Sequence, residues 1–187
     1  MFTLRMSKER RHIQNEHQNT WMTFDCENKA DPLKDGFGAL KTFNENILLP
    51  DKELMTFQMK KNMLILAYVR EGKIIYKGPW EKHGLLAQNE FQLMNVSSEM
   101  KQYGFNASHS DDAHVFQSGF VLNGSDLEPG EIKKLFSHAE RQGVLKLIAS
   151  SDGKDDSLPI RQDVQMYSTR IMNGNHIVHE LNPGRRA

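Results

Sequence analysis

Between residues 37 and 122 the chain is a succession of short β-favouring runs punctuated by turn formers, and no stretch there sustains a helical period. The runs are GALKTFNENILL, ELMTFQMKKNMLILAYVREG, GKIIYKG, HGLLAQNEFQLMNVSS, MKQYGFNAS and AHVFQSGFVLN. Regular strand and turn spacing of this kind predicts a mainly all-β fold, a sandwich or small barrel. MLILAYV is nearly continuous in apolar residues, the pattern of a strand buried on both faces. After it, Arg70-Glu71-Gly72-Lys73 predicts a hairpin turn into Ile74 and Ile75, and Asn89-Glu90 before Phe91 predicts another tight turn.

The character changes from Asn123 to Gly143. NGSDLEPGEIKKLFSHAERQG opens with turn formers and then places Ile132, Leu135 and Phe136 at helical spacing, which predicts a linker with one short helix. VLKLIASSDG, DVQMYSTRIM and NHIVHELN follow and read as strands. The expected organisation is a first domain over 1–122, a linker over 123–143 and a few further strands over 144–187. Three short strands leave unpaired edges, so they must be covered by the first domain or by a second subunit, which would make the protein a homodimer.

Several classes of function are excluded early. Lys plus Arg equals Asp plus Glu at 24 each, so no overall charge favours nucleic acid or an anionic membrane, and direct nucleic-acid binding is not expected. The start MFTLRMSKERRHIQNEHQ is too polar for a signal peptide and no apolar run reaches spanning length, so the expected location is the cytoplasm, with no membrane partner. The single Cys26 can form neither an internal disulfide nor a thiolate zinc pair and is read as a packed thiol. GxSxG, HExxH, P-loop and GxGxxG patterns do not occur.

The eight histidines do not assemble a metal site by spacing. His109 and His114 flank Asp111 and Asp112 on a turn entering a strand, where side chains scatter. His176 and His179 stand at odd spacing, so a strand would send them to opposite faces. His12, His17, His83 and His138 read as surface residues, Asp155-Asp156 as a solvated turn, and Met55, Met59, Met63, Met94 and Met100 as core packing.

One set of motifs, ordered along nearly the whole chain, carries a family resemblance. Trp21-Met22-Thr23-Phe24, Asp31-Pro32, Phe37-Gly38-Ala39-Leu40 and Asn44-Glu45-Asn46 are similar to the WxTF, DP, FGxL and NDD elements that open pirin-type proteins. Ile65–Gly72, Glu90–Met94, the HxxQ of His114–Gln117, Ser151-Asp152-Gly153 and Ile160–Val164 resemble later blocks of the same family. The resemblance implies a bicupin: here, a cupin-type β-sandwich followed by a partial second cupin, either truncated or naturally short.

The resemblance also implies where a metal would sit. Pirins hold it with an HxH pair before the ILTYVxEG-like strand and an HxE pair after the FQxM-like strand. Carried over residue by residue, these positions are Gln58 and Lys60, then Gln102 and Gly104. None of the four retains a divalent metal, so no metal, no cofactor and no catalytic residue is expected. Lys60 either points to solvent or lies inward, where it would replace the cation, hold a carboxylate-bearing ligand or pair with Glu99. The implied function is a pirin-like protein that has lost metal-dependent dioxygenase activity and binds an unidentified small molecule or protein. The alternative is a quercetin 2,3-dioxygenase-type enzyme using a non-standard site.

Overall fold

A computed structural model describes residues 6–24, 35–51, 53–59, 62–77, 83–95, 100–122 and 130–187, of which 53–59 and 100–103 are described by their backbone alone. Cys26, Asp31, Pro32, Lys60 and Glu99 therefore lie outside the described residues. The strands are β1 (Arg11–Gln14), β2 (Gln18–Met22), β3 (Leu40–Leu48), β4 (Glu53–Met59), β5 (Met63–Glu71), β6 (Lys73–Lys77) and β7 (His83–Ala87). They continue with β8 (Glu90–Asn95), β9 (Met100–Asn106), β10 (Ala113–Val121), β11 (Gly130–Leu135), β12 (Lys146–Ser150), β13 (Leu158–Pro159) and β14 (Met166–Ser168). No helix among the described residues is long and apolar enough to cross a membrane.

The chain divides into two compact units, Met1–Leu135 and Phe136–Ala187. In the first, a seven-stranded sheet runs β1-β2-β3-β10-β5-β8-β11 and a four-stranded sheet runs β4-β9-β6-β7. Alternation explains how they pack. In β6, Ile74 and Tyr76 are buried while Lys73, Ile75 and Lys77 are exposed. Ile74, Tyr76 and Leu86 from the smaller sheet join Leu48, Ala67, Val69, Ala113 and Val115 from the larger one in a single core cluster. Complete burial of side chains such as Val69 and Leu86 contributes roughly 1.5–3 kcal/mol each.

The expected hairpin at Gly72 is a corner instead. β5 pairs with β10 and β8, whereas β6 pairs with β7 and β9, so the chain crosses from one sheet to the other at this point. Gly72 has φ +79°, and a Cβ there would crowd Ala113, so the corner needs glycine. The turn expected at Asn89 is present, with Asn89 at φ 69°.

The segment read as a linker with a helix also differs. Its centre is β11, paired antiparallel with β8 from Gly130↔Asn95 to Leu135↔Glu90. Ile132 and Leu135 are exposed on that strand and Phe136 is buried beyond it, so their spacing marks no shared helical face. The only regular helical turn described between 130 and 143 is Ala139–Arg141. The division of the chain between Leu135 and Phe136 falls within the segment expected as the linker, 123–143.

The second unit contains a three-stranded sheet, β13-β12-β14, over a core that includes Phe136, Ile148, Leu158 and Ile160. Arg141, 1% exposed, is held there by Ser137 O and Ser168 Oγ. NHIVHELN is not a strand: Val178 and Leu181 are exposed and no sheet partner is formed. An apolar segment without a partner strand gains neither ladder hydrogen bonds nor burial.

Candidate functional site

On the seven-stranded sheet, one row of side chains facing the four-stranded sheet is polar where a core should be apolar. Cross-strand register aligns Asn44 with Gln117, Gln117 with Ala67, Ala67 with Gln92, and Gln92 with Lys133. Ala67 belongs to the core cluster shared by both sheets, which fixes the face on which the row lies. Gln92 and Gln117 are 2% and 4% exposed. Among the described residues, Asn44 Oδ1 and Gln117 Oε1 are buried without a partner in hydrogen-bond geometry, as is Asn46 Nδ2 two residues along β3, while the Gln92 amide lies against the Tyr76 hydroxyl. Each such group costs about 1–3 kcal/mol of lost hydration, a heavy load for a fold of this size.

The row is continued from the opposite sheet. The Tyr76 hydroxyl donates to Glu131 Oε1, joining the two sheets through the core. Burial, followed by the Glu131 carboxylate, pushes the Tyr76 phenol well above the ordinary tyrosine range, while the adjacent Gln92 amide works the other way. Tyr76 stands in register with Gly84 on one side and Gly104 on the other. A Cβ at Gly84 would strike the Tyr76 ring, so that glycine is needed for the ring to lie where it does.

The four positions assigned to the metal lie on β4, on β9 and just beyond β4. Gln58 pairs with Lys101 and Gln102 with Phe57, so they occupy neighbouring rather than shared cross-strand pairs. Gly104 is buried, between Met55 and Tyr76 in register. Lys60, and with it the choice between its two orientations, lies outside the described residues.

A second polar cluster occupies the other face of the large sheet. Glu45 accepts from Arg10 Nη1 at 2.5 Å and lies 2.9 Å from His114 Nε2, while Arg10 Nη2 donates to Trp21 O. Burial raises the Glu45 carboxyl, but the Arg10 and His114 contacts outweigh it and hold the group below the ordinary glutamate value. His114 also stacks on Phe116 at 4.9 Å. His109, by contrast, is exposed against Asp51, which raises its pKa. The two histidines of the SDDA segment thus have different partners, and His179 packs against the Tyr167 ring. No group of three or more His, Cys, Asp or Glu side chains converges as a metal site among the described residues.

Asn44, Gln92, Gln117, Tyr76 and Glu131 were not singled out by sequence as a site. Their signal was available: an amide at the inward step of a strand whose neighbours are apolar, as in VFQSG and FQLM.

Two facing antiparallel sheets with polar side chains gathered between them form a β-sandwich of the cupin type. Residues 147–187 match the family model described as the quercetinase C-terminal cupin domain. The whole chain is 26% identical over 186 residues to the quercetin 2,3-dioxygenase of Escherichia coli K12, covering 79% of it. The crystal structure of YhhW from Escherichia coli matches with a TM-score of 0.77 at 27% identity, over 87% of this chain and 68% of that one. The bacterial pirin YhhW in complex with nickel(II) matches at 0.76 and 27%, over 87% of this chain and 69% of that one. The chain is similar along its length to the pirin family of cupins.

Proposed function

We propose that this chain is a cytoplasmic pirin-family protein that no longer carries out metal-dependent dioxygenation and serves as a non-catalytic binding module. The observation that carries the reading is the residue set at the four metal positions: Gln58, Lys60, Gln102 and Gly104. Gly104 supplies no side chain, and its burial beside Tyr76 in register leaves the family's carboxylate with no replacement at that position. The amides of Gln58 and Gln102 are weak neutral donors for iron, nickel or manganese, and a protonated Lys60 repels a cation. This set does not fit the metal. The occupant of the module is a small molecule or a protein, and a homodimer remains part of the same proposal.

A second reading, a metal-dependent quercetin 2,3-dioxygenase with a different donor set, is favoured by the name of the Escherichia coli relative and by the nickel(II) bound to YhhW. Quercetin is mixed with the purified chain in air, with nickel, iron, copper or manganese added in turn, and flavonol absorbance is followed. Loss no faster than in protein-free controls is expected. Protein-dependent consumption with any of the four metals overturns the non-catalytic reading.

A further inference from the structure

We propose that the free edge of β11 is the surface on which a second copy of this chain docks, the two β11 strands pairing antiparallel about a two-fold axis at Ile132. The proposal rests on the homodimer named above and gives that dimer its surface.

Strand β11 ends the seven-stranded sheet, and among the described residues no strand pairs with its outer side. Such an edge offers a row of backbone N–H and C=O groups to another chain, and proteins commonly blunt it with a short strand, a proline or a bulge. β11 has none of these: GEIKKL runs six residues without proline and holds one register against β8 from end to end. It also exposes apolar side chains, Ile132 at 47% and Leu135 at 57%. At the opposite end of the same sheet, β1 is only four residues long and reads Arg-His-Ile-Gln.

Charge selects the partner and the register. Glu131 and Lys133 lie on the inward face of β11, with Ile132 between them on the outward face. Both charged side chains are steadied by the smaller sheet: Glu131 Oε1 accepts from the Tyr76 hydroxyl, and the Lys133 ammonium donates to Leu85 O at 2.9 Å. Each keeps capacity for another contact, a second oxygen on Glu131 and further N–H donors on Lys133. A second copy that meets this edge antiparallel, with both inward faces on the same side, must have a residue of β11 facing its own counterpart across the axis. When that residue is Ile132, Glu131 of each copy faces Lys133 of the other, twice over, and the two Ile132 side chains meet. Centring on Glu131, Lys133 or Lys134 instead sets like charges against each other. Because one short strand carries both signs at this spacing, the edge is complementary to itself, which favours a second copy over an unrelated partner.

Light scattering on the full chain over a range of concentrations is expected to show a dimer that dissociates on dilution. Lys133→Glu and Glu131→Lys should each weaken it about tenfold or more, because the two-fold axis makes every substitution count twice. An equimolar mixture of the two variants should recover the dimer, since every facing pair then carries opposite charges again. Ile132→Lys sets two ammonium groups across the axis at an exposed position; it should also dissociate the dimer, and it serves if Glu131→Lys fails to fold. Ile75→Lys, exposed on the smaller sheet, should leave the dimer intact. A dimer that survives Ile132→Lys, or folded charge variants that do not recover on mixing, overturns this inference and leaves a homodimer formed through another surface. A monomer at every concentration overturns the inference and the homodimer together, while the non-catalytic reading is decided separately by flavonol consumption.

Discussion

One step along β10, from Gln117 to Phe116, exchanges an inner row of amides for an outer row of rings. On the inner face the register runs Asn44, Gln117, Ala67, Gln92. On the outer face it runs Phe116, Tyr68, Phe91, with Tyr68 and Phe91 stacked at 4.3 Å and Phe43 stacked diagonally on Phe116 at 6.0 Å. The same strands carry both rows, so backbone pairing is common to them and the difference lies in side chains alone. The outer row gains stacking and burial; the inner row leaves buried polar atoms unmatched. A sheet that needed only stability would repeat the outer chemistry inside.

The largest effect that would sharpen this contrast is on the outer face. Phe91→Ala should cost about 3–5 kcal/mol of unfolding free energy in a guanidinium titration, because a side chain only 3% exposed is emptied. A cost near zero would deny the ring row its structural role. Next comes the bridge across the core. Tyr76→Phe should cost about 1–3 kcal/mol by leaving Glu131 without its donor. The sign with pH follows from the raised phenol: the folded chain resists ionisation more than the unfolded one does. Stability is therefore intact below the ordinary tyrosine value of 10.0 and falls as pH climbs above it, and Tyr76→Phe should flatten that alkaline fall.

A smaller effect belongs to Glu45, whose carboxyl is held low in the folded chain. Its contribution is present above the ordinary glutamate value of 4.5 and is lost as pH falls through the lower folded value, which acid titration of stability would register. Glu45→Gln should remove that acid dependence and cost at most about 1 kcal/mol at neutral pH, given the partial exposure of the pair. The smallest effect is on the inner face. Gln117→Leu should leave stability within about 1 kcal/mol of the wild type, or raise it, because it deletes an unpartnered carbonyl from the core. A loss as large as that of Phe91→Ala would break the contrast between the two faces.

Much of this fold was legible in the sequence. β3, β5, β8 and β10 stood out as apolar or alternating runs because tertiary packing and local pattern agree there. The errors fell where local pattern and partner choice diverge. Gly72 has the residue of a hairpin, but which sheet receives β6 depends on pairing with β7 and β9, and no local signal reports that. Ile132, Leu135 and Phe136 have helical spacing only by coincidence, since pairing with β8 outweighs it. NHIVHELN has strand composition but no neighbour to pair with.

The site was legible to a different degree. The four metal positions came through family resemblance, whereas the amide row needed register, because Asn44, Gln92 and Gln117 are 25 or more residues apart in sequence; Asn44 and Gln117 pair directly across β3 and β10, and Gln92 joins them through β5. The β1–β2 hairpin was hidden by its polarity. Its turn is made by Asn15 Oδ1 accepting from the backbone of His17 and Gln18, and its inner side ends in Thr20, which donates to Asn46.

The central claim is that the family's metal centre has been given up in this chain. Elemental analysis of protein purified from cells supplied with iron, nickel, copper and manganese tests it most directly. The account predicts no metal near one equivalent per chain; one equivalent of any of the four, retained through dialysis against a chelator, would contradict it.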